Sequence, residues 1–168
     1  VPGLDWDSSL AAVALAGSRP EVFAAVGYHP TDVEKWDHAS YENLRKLIVK
    51  SGSLLPEVQE RAPGLQNKIV AIGEIGLDYY WVKEQEKQAH QRAVLQQQLQ
   101  LAAEVNRPVV IHMREESDAW FGQASIDLLE ILSEWHSSLH AQNHPLFDAP
   151  GVLHSYNGNL DTAQKALA

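Results

Sequence analysis

Short apolar runs that end in a histidine or an acid recur four times along the chain. They occupy residues 22–29, 69–74, 108–112 and 151–154, and their polar end residues are His29, Glu74, His112 and His154. Each run is rich in β-branched residues and short for a helix, which indicates a strand buried in a parallel sheet. The intervals between the end residues are 45, 38 and 42 residues. Each interval has room for one strand, one helix and their loops, so the pattern predicts a chain of βαβ units.

The strand predicted at residues 69–74 is expected to end at Glu74. A glycine-bracketed turn follows it and carries a second carboxylate, Asp78. Gly73 and Gly76 lie on either side of Glu74. This segment is too short to cradle a phosphate, so its glycines indicate backbone freedom around the carboxylate.

Helical periodicity fills the intervals between the runs. Apolar residues recur on one face of helices predicted at residues 7–16, 41–50, 84–104, 125–135 and 161–168. Asp7 or Ser8 is expected to cap the first helix, and Ser40 the second. Residues 56–64 are predicted to form one helical turn, and residues 136–150 a long polar loop. The glutamine-rich remainder of the 84–104 helix is predicted to face solvent.

Length and composition predict one globular domain over residues 1–168, because 168 residues with 45% apolar content can bury a core. The chain has no run of about 18 apolar residues and no basic segment before an apolar start, so neither a membrane span nor a signal peptide is expected. The default location is the cytoplasm. The absence of cysteine excludes disulfides and thiolate metal sites, which leaves histidine and carboxylate as strong ligands.

The formal net charge of −9 argues against a broad electrostatic surface for nucleic acid. Such binding depends on Lys and Arg side chains that displace counterions from phosphates. A polyanionic substrate would therefore need a local cation, such as a bound metal ion.

The four polar end residues are expected to converge, because ligands of βα folds collect outside the carboxyl ends of the strands. Imidazole and carboxylate together suit a divalent ion such as zinc or manganese, and a carboxylate can bridge two ions. Two ions would activate water and neutralise charge on a phosphoryl oxygen. Arg114 follows His112 by two residues and lies on the same side of a continued strand, so it is a candidate phosphate ligand.

Each of these residues also has a simpler explanation. A single histidine at a strand end is usually only hydrogen-bonded there, and it is the set of four that favours a site. The remaining histidines are expected to be solvated, in loops or on polar helix faces: His38, His90, His136, His140 and His144. The last three would align on a helix, but Pro145 favours a loop there. The aromatic residues favour packing over base stacking: Tyr79, Tyr80, Trp81, Trp120 and Trp135.

Five sequence blocks follow one another in an order and with a spacing that resemble those of the TatD family of metal-dependent deoxyribonucleases. The blocks are AVGYHP at 25–30, VAIGEIGLDYY at 70–80, QLQLA at 98–102, PVVIHMR at 108–114 and GVLHSY at 151–156. The resemblance covers nearly the whole chain, and the block around Glu74 is its most specific part. It implies an α/β fold of the amidohydrolase-like (β/α)8 TIM-barrel type.

The resemblance implies a metal centre with divalent ions, two in number, of magnesium, manganese or zinc. It implies that Glu74 bridges the ions and that His112 and His154 are further ligands. Asp78 is similar to an aspartate in the family's turn, and it is assigned to the support of a ligand rather than to ligation.

The resemblance also implies roles toward a substrate. His29 would line the site and hold a phosphate or assist proton transfer, and Arg114 would contact the substrate. The implied reaction is hydrolysis of DNA phosphodiester bonds, commonly exonucleolytic, so the implied partner is DNA or another phosphodiester and not a membrane.

The chain also departs from the family pattern. Family members begin with a strand that ends in His-x-His and have a later strand that ends in aspartate, and this sequence has neither. A closed barrel typically needs about 250 residues, so we expect this chain to supply about half of one, strands two to five and their helices. It is then an internal portion of a longer protein or a half barrel that self-associates. SYNG at 155–158 also differs from the family's commoner motif.

Three functions remain open on the sequence. The first is a TatD-type phosphodiesterase with a two-metal activated water. The second is a non-catalytic remnant of the same fold that serves as an interaction module. The third keeps the barrel and its metals but acts on a small ester, amide or phosphoester, because a fold does not determine its substrate.

Overall fold

The computed structural model describes residues 1–52 and 68–167, and the helical turn predicted at residues 56–64 lies outside them. Its strands are β1 (Ala24–Val26), β2 (Ile69–Asp78), β3 (Val109–Arg114) and β4 (Gly151–Leu153), which form one parallel sheet in chain order. Its helices are α1 (Trp6–Ser18), α2 (His38–Gly52), α3 (Gln85–Glu104), α4 (Gln123–Ala141) and α5 (Leu160–Ala166). Short 3₁₀ segments occupy Pro30–Lys35 and Glu116–Asp118. The predicted succession of βαβ units is confirmed.

The core lies between the sheet and the helices. Every residue of β2 except Val70 is buried, and α3 packs directly on this strand. In β3 the burial alternates, so that Val109, Ile111 and Met113 face the helices while the residues between them face the other side of the sheet. His112 and Arg114 therefore share the face opposite the helices.

Glu74 does not end β2, because the strand continues for four residues beyond it. Gly73 and Ile75 pair with Val110 and Ile111, which are consecutive in β3, so Glu74 is an extra residue in the ladder. Such a β-bulge bends a strand and turns a side chain toward a site. The predicted strand end at Glu74 was wrong, since an acid between glycines resembles a strand end when the partner strand is unknown.

Two glycines beside the bulge allow close contact between β2 and β3. Gly76 has φ of 147°, and a Cβ there would lie 1.9 Å from the carbonyl oxygen of His112. A Cβ on Gly73 would lie 2.6 Å from Cβ of Val110. No other residue fits these positions without moving the backbone, which agrees with the predicted freedom around Glu74.

Aspartates cap the first two helices. Ser8 N donates to Asp5 Oδ1 at 3.0 Å, and Asp5 N donates to Ser8 Oγ at 2.9 Å, which forms a capping box. The same reciprocal pair joins Asp37 and Ser40 at the start of α2, at 2.7 and 3.3 Å. The predicted caps Asp7, Ser8 and Ser40 were therefore wrong, and both helices begin earlier in the chain.

Helix α4 extends into the segment predicted as a loop and ends at Ala141. Leu139 is buried and lies on the same helix face as Leu128 and Ile131. This apolar contact favours a longer helix, and Pro145 lies beyond its end. His136 and His140 are therefore helical residues rather than loop residues.

Residues 1–4 lie along the outer edge of β1. Pro2 bridges Ala25 in the parallel sense, Gly3 N donates to Ala25 O at 2.9 Å, and Ala25 N donates to Val1 O at 3.0 Å. This contact was missed from the sequence because the segment is too short for any periodicity. Among the described helices, none combines the length and apolar character that a membrane crossing requires.

Lys68 closes the amino end of the sheet. Its buried Nζ donates to the carbonyl oxygens of Arg19, Pro20 and Val22 at 2.9, 2.7 and 3.0 Å. The same ammonium lies 4.7 Å from the ring centroid of Phe23. The loop between α1 and β1 is therefore tied to the start of β2, at the end of the sheet opposite the polar residues.

Candidate metal centre

Three of the predicted site residues come together on neighbouring strands. His29 follows β1, Glu74 lies in the bulge of β2, and His112 lies on β3. Each can offer one ligand atom, and these atoms all lie within 4.8 Å of one another. The convergence follows from the parallel order of the strands, which brings their carboxyl ends to one side.

His112 lies between two carboxylates. Its Nδ1 is 3.2 Å from Glu74 Oε1, and its Nε2 is 3.1 Å from Asp78 Oδ2. Burial lowers the pKa of His112, but the hydrogen bonds and charges of Asp78 and Glu74 outweigh burial and raise this pKa to about 9. Without a metal ion, the imidazole is therefore a cation that both carboxylates stabilise.

Both carboxylates are held in the ionised form. The hydrogen bond from His112 lowers the pKa of Glu74 against the opposing effect of burial, and the positive charge of His112 lowers it further. For Asp78 burial is the strongest influence and raises the pKa. The hydrogen bonds from His112 and the Trp81 N–H together with nearby positive charge outweigh burial, so this pKa lies below its usual value. The centre thus presents negative charge to a cation.

His29 is neutral and oriented by its neighbours. Burial lowers the pKa of His29, and the positive charge of His112 lowers it further. Its Nδ1 lies 2.7 Å from Thr31 Oγ1, and that hydroxyl donates to Asp32 Oδ2 at 3.2 Å. Thr31 N donates to the same Nδ1 at 3.3 Å, so both the backbone and the side chain of Thr31 orient the imidazole. A neutral imidazole can offer a nitrogen lone pair to a metal ion.

The donor set fits a divalent transition metal. Two imidazoles and one carboxylate are typical protein ligands of zinc and manganese. Asp78 contacts the far nitrogen of His112, the arrangement in which a carboxylate fixes the orientation of a metal-binding imidazole. The residues His29, Glu74 and His112 can therefore hold one ion, with Nδ1 of His112 on the side of Glu74.

His154 lies outside this group. Strand β4 ends one residue before it, its side chain is exposed, and its Nε2 lies 3.1 Å from Ser155 Oγ. It nevertheless lies close enough to Glu74 for an electrostatic interaction, which lowers the pKa of Glu74. The role of His154 as a metal ligand therefore stays a prediction.

Arg114 is already engaged by protein groups. Its Nε and one terminal nitrogen donate to the two carboxylate oxygens of Asp118 at 2.7 and 3.2 Å. Its guanidinium lies 3.8 Å from the ring centroid of Tyr80. A phosphate that reached this fork would compete with Asp118 for it.

Two buried glutamines of α3 hold the backbone around His29. Gln98 accepts from Tyr28 N at 2.8 Å and donates to Tyr28 O at 3.0 Å. Gln91 donates to Pro30 O at 3.0 Å and accepts from Asp78 N at 3.0 Å. The prediction that the glutamines of this helix face solvent was wrong for these two. Their spacing of seven residues, which places them on one helix face, was the available signal.

The prediction that the aromatic side chains are packing residues was wrong for two tryptophans. Trp81 is 66% exposed and Trp120 is 76% exposed, whereas Tyr79 is buried. Several histidines predicted to be solvated instead bond to carbonyl oxygens: His90 to Val33, His136 to Phe147 and His144 to Ala103.

Comparisons with known proteins agree with this geometry. A family model described as TatD related DNase matches residues 1–168. The uncharacterized metal-dependent hydrolase YjjV of Escherichia coli is 29% identical over 165 residues, which cover 98% of this chain and 51% of YjjV. The 3'-5' ssDNA/RNA exonuclease TatD of Edwardsiella piscicida is 29% identical over 170 residues, which cover 100% of this chain and 52% of that protein.

The crystal structure of Escherichia coli YjjV, a TatD homologue, matches with a TM-score of 0.71 at 27% identity. The match covers 99% of this chain and 51% of that structure. The chain thus spans about half the length of the relatives it matches, and the predicted α/β fold of the TatD type is confirmed. It belongs to the TatD-related DNase family of metal-dependent hydrolases.

Proposed function

We propose that the protein is a metal-dependent phosphodiesterase that hydrolyses DNA, as an exonuclease. The observation that carries this proposal is the cluster of His29, Glu74 and His112, whose ligand atoms lie within 4.8 Å of one another. A relative named as a 3'-5' ssDNA/RNA exonuclease supports the choice of substrate.

Glu74, His112 and His29 would hold one divalent ion, and Glu74 and His154 would contribute to the binding of another. When bound, divalent ions activate water and neutralise charge on a phosphoryl oxygen. His29 thereby gains a ligand role besides its predicted contact with phosphate. We propose that these ions are magnesium, manganese or zinc.

The remaining side chains keep this centre in one arrangement. Asp78 accepts from His112 Nε2 at 3.1 Å and so fixes the plane of the imidazole. Arg114 lies two residues beyond His112 on the same face of β3, where it can contact a phosphate of the substrate. Asp118 restricts the guanidinium until the substrate displaces it.

The Glu74→Gln variant tests the proposal. The amide has nearly the same shape but lacks the charge that holds a cation, so release of nucleotides from end-labelled single-stranded DNA with Mn²⁺ should fall about 100-fold or more. Glu116→Gln is the matched control, because Glu116 is exposed and pairs only with Lys83, at 3.4 Å, among the described residues. We expect this control to keep the wild-type rate.

Other outcomes would point to the alternatives. Undiminished turnover in Glu74→Gln would refute a role for this centre. A wild-type protein that binds Mn²⁺ but leaves DNA intact would favour the hydrolase of a small ester, amide or phosphoester. A protein that neither binds metal nor hydrolyses any of these substrates would favour the non-catalytic interaction module.

A further inference from the structure

An exposed pair of aromatic rings lies in the loop between β2 and α3. Trp81 is 66% exposed, and its ring meets the ring of Tyr80 edge-on with the centroids 4.9 Å apart. A tryptophan face in water is unusual for a packing residue, because its large apolar area gains most from being covered. The loop therefore presents a surface that a flat apolar ligand would cover.

The exposure of Trp81 does not arise at a free edge of the sheet. Its loop follows β2, which pairs with β1 on one side and with β3 on the other. Residues 1–4 already lie along the outer edge of β1, so additional strands of a barrel would pair beyond them or with β4, and not with β2.

The loop that carries the two rings is anchored beside the candidate metal centre. The backbone N–H of Trp81 donates to Asp78 Oδ1 at 2.9 Å, and the other oxygen of Asp78 contacts a candidate metal ligand at 3.1 Å. Behind Tyr80 lies the guanidinium of Arg114, 3.8 Å from the ring centroid, and Asp118 fixes that guanidinium. A ligand would therefore meet an anchored loop and a Tyr80 ring that Arg114 already supports, which lowers the entropy cost of binding.

The charge of the chain limits what can bind here. With a formal net charge of −9, nonspecific attraction of a polynucleotide backbone is weak. A cleft of about 710 Å³ lies against the rings and is lined by Tyr80, Trp81, Lys83, Glu84, Ser117 and Asp118. Both charge signs are present in this lining, so the rings rather than the charges offer the principal contact.

We propose that Tyr80 and Trp81 form a stacking platform for an unpaired nucleobase of a single-stranded substrate, an inference that rests on the proposed function. A strand whose phosphate reaches Glu74 and His112 brings a neighbouring base to this loop. Stacking requires a free base face, which a duplex does not offer, so the platform selects single strands. It is independent of base identity, because every base has a π face.

Binding of labelled strands in EDTA tests the platform without hydrolysis. Fluorescence anisotropy compares an oligothymidine strand with an abasic strand of equal length, which has the same phosphates but no bases. The wild-type protein should bind the oligothymidine about tenfold or more tightly than the abasic strand. Trp81→Ala should bind both strands with the same weak affinity, and Trp81→Phe should keep part of the preference.

Phe23→Ala is the matched control. Phe23 is also an exposed aromatic residue with a cation over its ring, the Lys68 ammonium at 4.7 Å, but it lies at the opposite end of the sheet. This variant should keep the wild-type preference for bases.

Three results would overturn the platform. They are equal binding of both strands by the wild-type protein, an unchanged preference in Trp81→Ala, and a duplex bound as tightly as the single strand. Because the assay contains neither metal nor turnover, its result is separate from that of Glu74→Gln, which bears on the proposed function alone.

Discussion

Replacement of Gln98 by methionine should destabilise the protein far more than its conservative shape suggests. The Gln98 amide satisfies both backbone groups of Tyr28, with hydrogen bonds of 2.8 and 3.0 Å, and the side chain is almost fully buried. Strand β1 ends at Val26, so the glutamine takes the place of a strand partner for Tyr28. Methionine has a similar length but can neither accept from the N–H nor donate to the carbonyl oxygen.

The size of the expected loss in the free energy of unfolding follows from the two backbone groups of Tyr28 that are left unpaired. Each buried backbone group that loses its partner costs about 1–3 kcal/mol. Two such groups predict a loss of about 2–6 kcal/mol in the free energy of unfolding, a large fraction of the about 5–15 kcal/mol typical of a domain. The measurement is urea unfolding followed by tryptophan fluorescence, with linear extrapolation to water.

The control is Gln100→Met, on the same helix. Gln100 is exposed, so this variant should change the free energy of unfolding by no more than about 0.5 kcal/mol. Equal losses in the two variants would refute the assignment of Gln98 as a backbone clamp. Because Tyr28 precedes His29, Gln98→Met should also weaken Mn²⁺ binding under native conditions, and Gln100→Met should not.

Three further predictions concern other charged residues. Asp78→Asn should weaken Mn²⁺ binding about 10–100-fold in calorimetry, since Asp78 fixes the imidazole of His112, and unchanged affinity would contradict that role. Glu115 accepts from Ala124 N, Ser125 N and Ser125 Oγ at 3.1, 2.6 and 2.5 Å. Glu115→Gln should therefore lower the free energy of unfolding by about 2 kcal/mol, measured in urea. Hydrogen bonds from Lys35 and Ser8 lower the pKa of Asp5 from 3.8 to about 2. The stability that Asp5 contributes is thus complete above pH 3.8 and is lost as the pH falls through 2. Asp5→Asn should show a smaller acid-induced drop in the urea midpoint, and equal drops would refute this linkage.

The sequence predicted the sheet and the convergence of the site because both follow from local patterns. Apolar runs indicate buried strands whatever their neighbours are, and parallel order brings His29, Glu74 and His112 together without knowledge of any side-chain contact. Five helices were also located, although all five begin or end at other residues than predicted. Helix ends depend on single contacts, such as the capping box of Asp5, that periodicity does not contain.

The features that were missed depend on partners distant in the chain. The bulge at Glu74 exists only in relation to the register of β3. Gln91 and Gln98 are buried because strand ends leave backbone groups that need a partner, whereas a glutamine on a helix is ordinarily predicted to be solvated. Trp81 is likewise exposed because of the loop in which it lies, whereas a tryptophan considered from the sequence alone is expected to be in the core.

Selection for stability and selection for activity should have opposite effects on the bulge at Glu74. If Glu74 were deleted, Gly73 and Ile75 would become neighbours and could pair without interruption with the consecutive residues Val110 and Ile111. The shorter strand would lose a buried carboxylate and gain a regular ladder, so a screen for thermal resistance alone should enrich the deletion. A screen for turnover should discard it. Glu74 is thus a residue that the pairing of β2 with β3 does not need, and the proposed reaction depends on it.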